Sequence, residues 1–161
     1  MMNLQIRPIR DPEIFRLEDL LYEAIWQPDP EHRLPREVIR VPELFAYVEA
    51  FGQHAGDCCL VAETDGRLVG AAWCRLMRGF GWVDERIPEL AMALYPPYRG
   101  AGIGTRLLKS LLHVLRERGF GAVSLSVQRA NPAVRLYLRH GFRIVETRQE
   151  EYVMRCDFRG N

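Results

Sequence analysis

Glycines at positions 100, 102 and 104 are the feature of this sequence that most directly suggests chemistry. They lie between an apolar segment, ELAMALY at 89–95, and a long amphipathic segment. Glycines at a strand-to-helix turn let the backbone approach a ligand, and the N–H groups of a helix N-terminus favour an anion such as phosphate. The segment from Arg99 to Thr105 is therefore a candidate phosphate loop. The structural alternative is a sharp turn that binds nothing.

The same residues exclude two common phosphate loops. A Walker loop, GxxxxGK(S/T), requires a lysine after its second glycine, and Gly104 is followed by Thr105. A dinucleotide fingerprint, GxGxxG, would need glycine rather than Thr105 three residues after Gly102. Any phosphate bound here must therefore be held by another arrangement.

Composition indicates one folded domain without a global affinity for polyanions. The chain has 161 residues, of which 48% are hydrophobic and 27% charged, enough for a single core. Its 22 Lys and Arg and 21 Asp and Glu leave a formal charge of +1. We expect one domain over residues 1–161 that binds neither nucleic acid nor an anionic membrane surface through its net charge.

Metal binding, secretion and membrane insertion are not expected. The four cysteines lack CxxC spacing and a paired histidine motif, so we expect free thiols: Cys58, Cys59, Cys74 and Cys156. The opening residues contain no apolar run long enough for a signal peptide, and no stretch of about 18 apolar residues suggests a membrane helix. These features predict a cytoplasmic location.

The N-terminal third is predicted to form a strand and two helices. Alternation over 4–9 indicates the strand. Asp11-Pro12 is a typical helix start, and apolar residues then recur at helical spacing until the chain approaches Pro28. A loop over 27–41 leads to a second predicted helix over 42–51, which Gly52 would end.

The rest of the chain is predicted to form a mixed sheet with two further helices. Strands over 58–64 and 67–77 are joined by Asp65-Gly66, a pair typical of tight hairpins. A helix with one apolar stripe follows Gly104 and ends at Gly119. The remaining predicted elements are strands over 89–95, 122–127, 142–146 and 151–156 and a helix over 132–139. Helices covering a sheet predict an α/β or α+β fold.

Two motifs together resemble a known family. Arg99, Gly102 and Gly104 match the pattern (R/Q)xxGx(G/A), in which x is any residue. Downstream, NPAVRLYLRHGF at 131–142 is similar to a second motif, NPAxxLYxxxGF. In this order the two motifs resemble the GNAT superfamily of acetyl-coenzyme A dependent N-acetyltransferases. The resemblance implies a mixed, mostly antiparallel, twisted sheet of six to seven strands flanked by about four helices.

The resemblance also implies which residues hold the cofactor, acetyl-coenzyme A. Backbone groups near Met92, Ala93 and Leu94 would pair with the pantetheine arm as if it were an added strand. The pyrophosphate would be bound by the loop residues Arg99, Gly100, Ala101, Gly102, Ile103, Gly104 and Thr105. Asn131 is a typical helix N-cap before proline, and the resemblance adds that its side chain faces coenzyme A. No metal is implied.

Tyr137 and Glu89 are the candidate catalytic residues. A tyrosine on a short apolar helix is typically a half-buried core residue, but the match to the family motif implies that Tyr137 donates a proton near the cofactor sulfur. Glu89 begins the strand that leads to the thioester and is the candidate base, directly or through water. Asp84 and Glu85 are competing candidates for the base. A backbone N–H near Leu94 would meet the developing oxyanion.

The reaction has a protonation requirement that explains the need for a base. A primary amine with a pKa of about 10.4 is mostly ammonium at pH 7, and forming the free base costs about 4.6 kcal/mol. The site must therefore remove a proton or lower the pKa of the amine.

The acceptor is predicted to be a small-molecule primary amine. Aromatic residues outside the two motifs could form its pocket or could simply be core: Trp26, Trp73, Phe80 and Trp82. We expect an N-acetyltransferase acting by direct attack of the amine. A protein N-terminal or lysine acetyltransferase and a non-catalytic acyl-coenzyme A sensor are the alternatives. The sequence does not decide between a monomer and a homodimer.

Overall fold

Seven strands and four α-helices make up residues 3–158, the part of the chain that this computed structural model describes. The expected domain of 1–161 extends past these residues at both ends. In chain order the elements are β1 (Leu4–Pro8), α1 (Arg16–Ala24), α2 (Pro42–Phe45), β2 (Cys58–Thr64), β3 (Arg67–Arg75), β4 (Glu89–Leu94), α3 (Ile103–Glu117), β5 (Ala122–Gln128), α4 (Ala133–Arg139), β6 (Phe142–Thr147) and β7 (Glu151–Asp157).

The strands form one mixed sheet in the order β1-β2-β3-β4-β5-β7-β6. Every neighbouring pair is antiparallel except β4 and β5, which run parallel at the centre. The predicted mixed, mostly antiparallel sheet with about four helices is confirmed. The order places the end of β4, and hence the glycine loop that follows it, in the middle of the molecule.

Each face of the sheet carries its own hydrophobic core. On one face α3 buries the apolar stripe that its sequence predicts: Ile103, Leu107, Leu108, Leu111 and Leu115. On the other face α1 and the segment that follows α2 pack against alternate residues of β2, β3 and β4. Because side chains alternate along a strand, successive residues of β4 belong to different cores.

The predicted hairpin has the backbone that its turn residues favour. Asp65 and Gly66 have φ angles of 49° and 80°, which is the pair of positive values that a type I′ turn requires. The turn joins β2 to β3 and sets the pairs Thr64↔Arg67 and Glu63↔Leu68, after which a bulge shifts the register to Ala62↔Gly70. β3 lies between β2 and β4 and pairs with both.

The second helix is shorter than the sequence predicts. It ends at Phe45, not at Phe51, and the chain continues in turns. The carbonyl oxygens of Ala46 and Glu49 each accept a hydrogen bond of 2.8 Å from Arg75 Nη1 of β3. Ala50 has a φ of 50°, which an α-helix does not allow. A tertiary contact with β3 therefore overrides the local helical pattern.

The first helix also differs at its start. Asp11-Pro12 begins a short 3-10 turn over Asp11–Glu13, and α1 itself begins at Arg16. Glu13 accepts two hydrogen bonds from Arg7 of β1, at 2.9 Å and 2.7 Å, which tie this turn to the sheet. Within residues 3–158, no helix has the length and hydropathy that a membrane span requires.

Candidate active site

The central strands β4 and β5 diverge, and the space between them is the main cavity. Glu89↔Ser124 is the one register pair that joins them among the described residues. Beyond that pair, a cavity of about 840 Å³ opens between residues 90–94 of β4 and 126–128 of β5. The start of α3, α4 and the end of α1 complete its walls. Two strands that would otherwise pair thus present their edges to a ligand.

The hydrogen-bond pattern shows which main-chain groups of β4 face this cleft. The Tyr95 N–H donates to the Val69 carbonyl of β3 at 3.0 Å. In an antiparallel ladder the direction of these groups alternates, so Ala93 and Ala91 also turn theirs toward β3. Met92 and Leu94 therefore turn theirs toward the cleft. Ala93 remains a lining residue whose main chain is directed to β3.

The glycine loop presents a run of free amides to the same cavity. Gly100 and Gly102 have φ angles of 77° and 85°, and a Cβ at either position would meet nothing within 4 Å. The first helical hydrogen bond runs from the Arg106 N–H to the Gly102 carbonyl. Within residues 3–158, the N–H groups of 100–105 thus have no acceptor. They are unpaired donors at the positive end of α3.

Not every residue of the predicted loop lines the cavity with its own atoms. Five of them do: Arg99, Gly100, Gly102, Gly104 and Thr105. Ile103 is fully buried in the core beneath α3, and Ala101 is exposed. Their part in the loop is therefore confined to the main chain.

Arg99 is tied to the protein rather than left free in the cavity. Its Nε donates to the Leu94 carbonyl at 2.9 Å, and its Nη2 lies 3.2 Å from Glu23 Oε1. The Glu23 side chain is 7% exposed and also lies 3.6 Å from Arg33. Arg99 thus satisfies the one cleft-facing carbonyl at the end of β4 and leaves the Leu94 N–H available.

α4 brings the second motif to the opposite wall. Asn131 Oδ1 accepts a hydrogen bond of 2.9 Å from the Ala133 N–H, which is the capping contact the sequence predicts. Tyr137 lines the cavity, is 6% exposed and packs edge-to-face on Phe142 at 5.4 Å between ring centroids. Burial raises the pKa of Tyr137. Its hydroxyl has no hydrogen-bond partner among the described residues, so it is free to donate to a ligand.

Glu89 is buried, not exposed at the strand end. It is 1% exposed, and its carboxylate accepts hydrogen bonds from the Tyr47 hydroxyl at 2.7 Å and from the N–H groups of Gly79 at 2.7 Å and Gly81 at 3.2 Å. Burial raises the pKa of Glu89, and these hydrogen bonds oppose that rise. A buried carboxylate with a raised pKa suits a group that must accept a proton.

The competing carboxylates lie away from the cavity. Asp84 accepts a hydrogen bond from the Arg86 N–H in an exposed turn, and exposed Glu85 pairs with Arg78. Neither lines the cavity. Glu151 does line it and lies 2.9 Å from Arg148. The four histidines do not line it: His32, His54, His113 and His140.

Two of the four candidate aromatic residues reach the cavity. Trp26 and Phe80 line it together with Leu44 and Tyr47. Trp73 is instead fully buried, and its Nε1 donates to the Tyr47 carbonyl at 3.1 Å. Trp82 does not line the cavity. The Arg78 guanidinium lies over its ring, with 4.9 Å between Arg78 Cζ and the ring centroid.

Tyr47 and Ser126 are site residues that sequence reasoning missed. Tyr47 comes from the turns after α2, 42 residues before its partner Glu89. Ser126 lies on β5, where alternation places it on the face opposite the buried Val127. The only sequence signal for Ser126 was the polar alternation in AVSLSVQ, and for Tyr47 there was none.

The cysteines are free thiols, as expected, and all four are buried. Cys58 and Cys74 face each other across β2 and β3. In the part of the chain covered by the structure, no group of three or more His, Cys, Asp or Glu side chains is arranged to hold a metal ion.

Comparison with known proteins assigns the family. A family model described as the acetyltransferase (GNAT) family matches residues 14–142. The chain belongs to the GNAT family. The matched region begins just before α1 and ends at the start of β6, so it contains both cofactor motifs and the divergent strands.

Curated relatives are similar over part of their length. The N-alpha-acetyltransferase 50 of Danio rerio is 31% identical over 99 residues, which are 60% of this chain and 58% of that protein. A mycothiol acetyltransferase of Rhodococcus jostii (strain RHA1) is 33% identical over 136 residues, which are 82% of this chain and 42% of that protein. The chain therefore spans less than two thirds of the length of these relatives.

Solved structures share the fold over nearly the whole chain. The PaiA N-acetyltransferase of Thermoplasma acidophilum, in complex with coenzyme A, superposes with a TM-score of 0.71 at 18% identity, covering 98% of this chain and all of that one. The ribosomal-protein-alanine N-acetyltransferase of Brucella melitensis gives 0.68 at 24% identity, covering 96% and 99%. At these identities the likeness establishes the fold.

The tight enclosure of Glu89 predicts a strong effect of Gly79→Ala. A Cβ at Gly79 would lie 2.5 Å from the Tyr47 hydroxyl oxygen and 2.7 Å from Glu89 Oε2. We expect a loss of about 1–3 kcal/mol in the free energy of unfolding, measured by urea denaturation. The matched control is Gly121→Ala, where a Cβ meets nothing within 4 Å and the change should stay within about 0.5 kcal/mol. Equal effects of the two substitutions would contradict this picture.

Proposed function

We propose that the chain is an N-acetyltransferase that transfers the acetyl group of acetyl-coenzyme A to a primary amine. The observation that carries the proposal is the run of unpaired amides at 100–105, which shares one cavity with the open edge of β4 and with Tyr137. Family membership supports the same reaction. So do the names of the curated relatives described above, which are acetyltransferases.

The donor set fits coenzyme A part by part. The amides of 100–105 and the N-terminus of α3 suit the diphosphate of that molecule. The cleft-facing N–H and carbonyl of Met92 suit an amide of a pantetheine arm, which would bind as an added strand and bring its acyl end to the Leu94 N–H. The space beside Gly100 and Gly102 is open, so a ligand can approach the loop backbone there. When bound, acetyl-coenzyme A supplies the acyl group as an activated thioester.

The chain's own residues then provide positioning and proton transfer. The Leu94 N–H faces the cleft and would stabilise negative charge on the acyl oxygen. The Tyr137 hydroxyl would donate a proton to the departing sulfur and regain one from the nitrogen that forms the amide bond. Glu89 would hold the proton that the ammonium gives up before attack. The balance is one ammonium and one thioester converted to one amide, one thiol and one released proton.

A small-molecule amine acting in a ternary complex is the acceptor that the cavity favours. The wall beyond the β4 edge is formed by Trp26, Leu44, Tyr47 and Phe80, which can enclose an apolar or aromatic amine. Glu23 and Glu151 supply carboxylates within the same cavity. A protein N-terminus is the second candidate, because one relative that matches this chain is named an N-alpha-acetyltransferase.

An amine panel tests this function. Acetyl-coenzyme A binding is measured by calorimetry, and thiol release is then followed with small primary amines, with peptides bearing a free N-terminus, and with N-terminally blocked lysine peptides. We expect binding and release with at least one small amine. Thiol release with peptides but with no small amine would show that the acceptor is a protein. Binding without release for every amine would replace the enzyme with an acyl-coenzyme A sensor.

The proposed binding of phosphate by the N–H groups of 100–105 is tested by two matched glycine substitutions at the ends of α3. Gly102 (φ 85°) and Gly119 (φ 90°) both have open space where a Cβ would stand, so alanine costs each about 1–2 kcal/mol through the backbone alone. We expect Gly102→Ala to weaken acetyl-coenzyme A binding about tenfold and Gly119→Ala to leave it unchanged, by calorimetry. Equal acetyl-coenzyme A affinities of the two variants would show that the glycine loop does not bind the phosphates.

The proton-donor role of Tyr137 predicts a selective loss of rate. Tyr137→Phe should lower kcat by roughly 10²-fold, within the range of general acid catalysis, while acetyl-coenzyme A affinity changes less than about twofold. Tyr152→Phe is the control, since that ring is partly buried on β7 and does not line the cavity. A kcat of Tyr137→Phe equal to that of the control would exclude this donor.

A further inference from the structure

Glu89 is separated from the cavity by its own hydrogen-bond partners. It does not line the cavity, whereas Tyr47, Phe80 and Ser126 do. Two of its three donors are the main-chain N–H groups of Gly79 and Gly81, which do not exchange protons during a reaction. The third donor is the Tyr47 hydroxyl. Among the described residues, Tyr47 is therefore the one group that can pass a proton between Glu89 and the cavity.

The Tyr47 hydroxyl has the connections that such a transfer requires. It donates to Glu89 Oε2 at 2.7 Å and accepts from the Phe80 N–H at 3.0 Å. Ser126 of β5, across the cleft, lines the same cavity as Tyr47. The Tyr47 ring stacks on Phe80 with an angle of 9° between the planes. The hydroxyl therefore joins the buried carboxylate to the wall where an acceptor would lie.

We propose that Tyr47 relays a proton from the acceptor amine to Glu89. This proposal rests on the acetyltransferase function proposed above and adds a residue to it. An N–H bond of the ammonium breaks and its proton passes to Tyr47 Oη, while the Tyr47 proton passes to Glu89 Oε2. The electron pair of the broken bond stays on nitrogen, which becomes the nucleophile. Glu89 later returns the proton through Tyr47 to water, so the enzyme regains its starting state.

The two transfers must occur together. Burial and the Glu89 charge raise the pKa of Tyr47 well above its ordinary value, so a separate tyrosinate would be unfavourable. In a concerted transfer the hydroxyl gains one proton as it loses another. Tyr47 then touches the acceptor and is a catalytic residue, whereas Glu89 acts through it.

β3 fixes the segment that carries Tyr47. Trp73 Nε1 donates to the Tyr47 carbonyl at 3.1 Å, and Arg75 Nη1 donates to the carbonyls of Ala46 and Glu49 at 2.8 Å each. These contacts lie on both sides of Tyr47 in the chain. They are the same contacts that end α2 early, so the short helix and the placed hydroxyl have one cause.

The nearby arginines leave the Glu89 carboxylate to its hydrogen-bond donors. Arg75 is the register partner of Glu89, but its guanidinium is bound to Asp57 at 2.8 Å and 3.0 Å. The charge of Arg148 lowers the pKa of Glu89, against the effect of burial. Arg148 itself donates to the Phe80 carbonyl at 2.7 Å and pairs with two surface glutamates. Neither arginine forms a hydrogen bond or salt bridge with the Glu89 carboxylate within residues 3–158.

The relay predicts both a rate loss and a pH shift for Tyr47→Phe. The hydrogen bond from Tyr47 lowers the pKa of Glu89, so its removal raises that pKa further. A base is active only when deprotonated, so the acidic limb of the rate profile should move to higher pH. We expect kcat to fall by about 10²-fold or more while acetyl-coenzyme A affinity changes less than about twofold.

The matched control is Tyr95→Phe. Its hydroxyl also donates to a carboxylate, Asp19 Oδ2 at 2.6 Å, but Tyr95 does not line the cavity. This variant should keep the wild-type rate and pH profile. A relay also predicts that Tyr47→Phe combined with Glu89→Gln loses no more rate than the worse single variant. Additive losses, an unmoved acidic limb, or an equal effect of Tyr95→Phe would overturn the relay.

A second measurement needs no acceptor and separates this proposal from the function it rests on. The pKa of Glu89 is followed by carbon-13 NMR of labelled glutamate side chains, with Glu89→Gln giving the assignment. We expect the Glu89 signal to titrate at higher pH in Tyr47→Phe than in the wild type or in Tyr95→Phe. An unmoved titration would overturn the relay. Absence of amine-dependent thiol release in the wild type, with the titration shifted, would instead reject the proposed function.

Discussion

The whole arrangement depends on the single point at which β4 and β5 are joined. The sheet consists of β1-β2-β3-β4 and β5-β7-β6, and Glu89↔Ser124 is the register pair that links these halves in the described chain. Gly81 reinforces the junction, because its carbonyl accepts a hydrogen bond of 2.7 Å from Ser124 Oγ and its backbone packs on the Leu125–Ser126 peptide. Beyond this point β4 and β5 are each hydrogen-bonded to another strand along one edge only, β4 to β3 and β5 to β7. The main-chain groups of Met92 and the N–H of Leu94 are thus left for a ligand, with no demand on side-chain identity, whereas Arg99 satisfies the Leu94 carbonyl.

The same junction places the buried carboxylate. Glu89 begins β4, and alternation directs its side chain to the face covered by α1 and the segment after α2. The loop before β4 wraps it with the N–H groups of Gly79 and Gly81, and Tyr47 closes the remaining side. A carboxylate without these donors would be far more costly to bury. The loop thus makes it feasible to keep a carboxylate beneath the cavity and out of bulk water.

Local sequence patterns were sufficient to predict most elements of the sheet and the glycine turn that precedes α3. The apolar stripe of α3, the Asp65-Gly66 turn and the glycine loop each depend on neighbours in the chain, and the structure has the backbone that each pattern predicts. The failures involve long-range contacts. α2 ends early because Arg75, 26 to 29 residues away, binds its next carbonyls, and Tyr47 meets Glu89 across 42 residues. The burial of Glu89 depends on the same contacts, so no periodicity in the sequence could reveal it.

The most direct test of the account follows individual main-chain amides while coenzyme A is added. In nitrogen-15 NMR spectra of the full chain, the N–H signals of Met92, Leu94 and residues 100–105 should shift together with one dissociation constant, and those of Ala91 and Ala93, which face β3, should shift much less. Slowed hydrogen exchange at the same positions would accompany binding. If coenzyme A bound without shifting these signals, or shifted the N–H signals of residues elsewhere on the sheet, the open edge between β4 and β5 would not be its binding site.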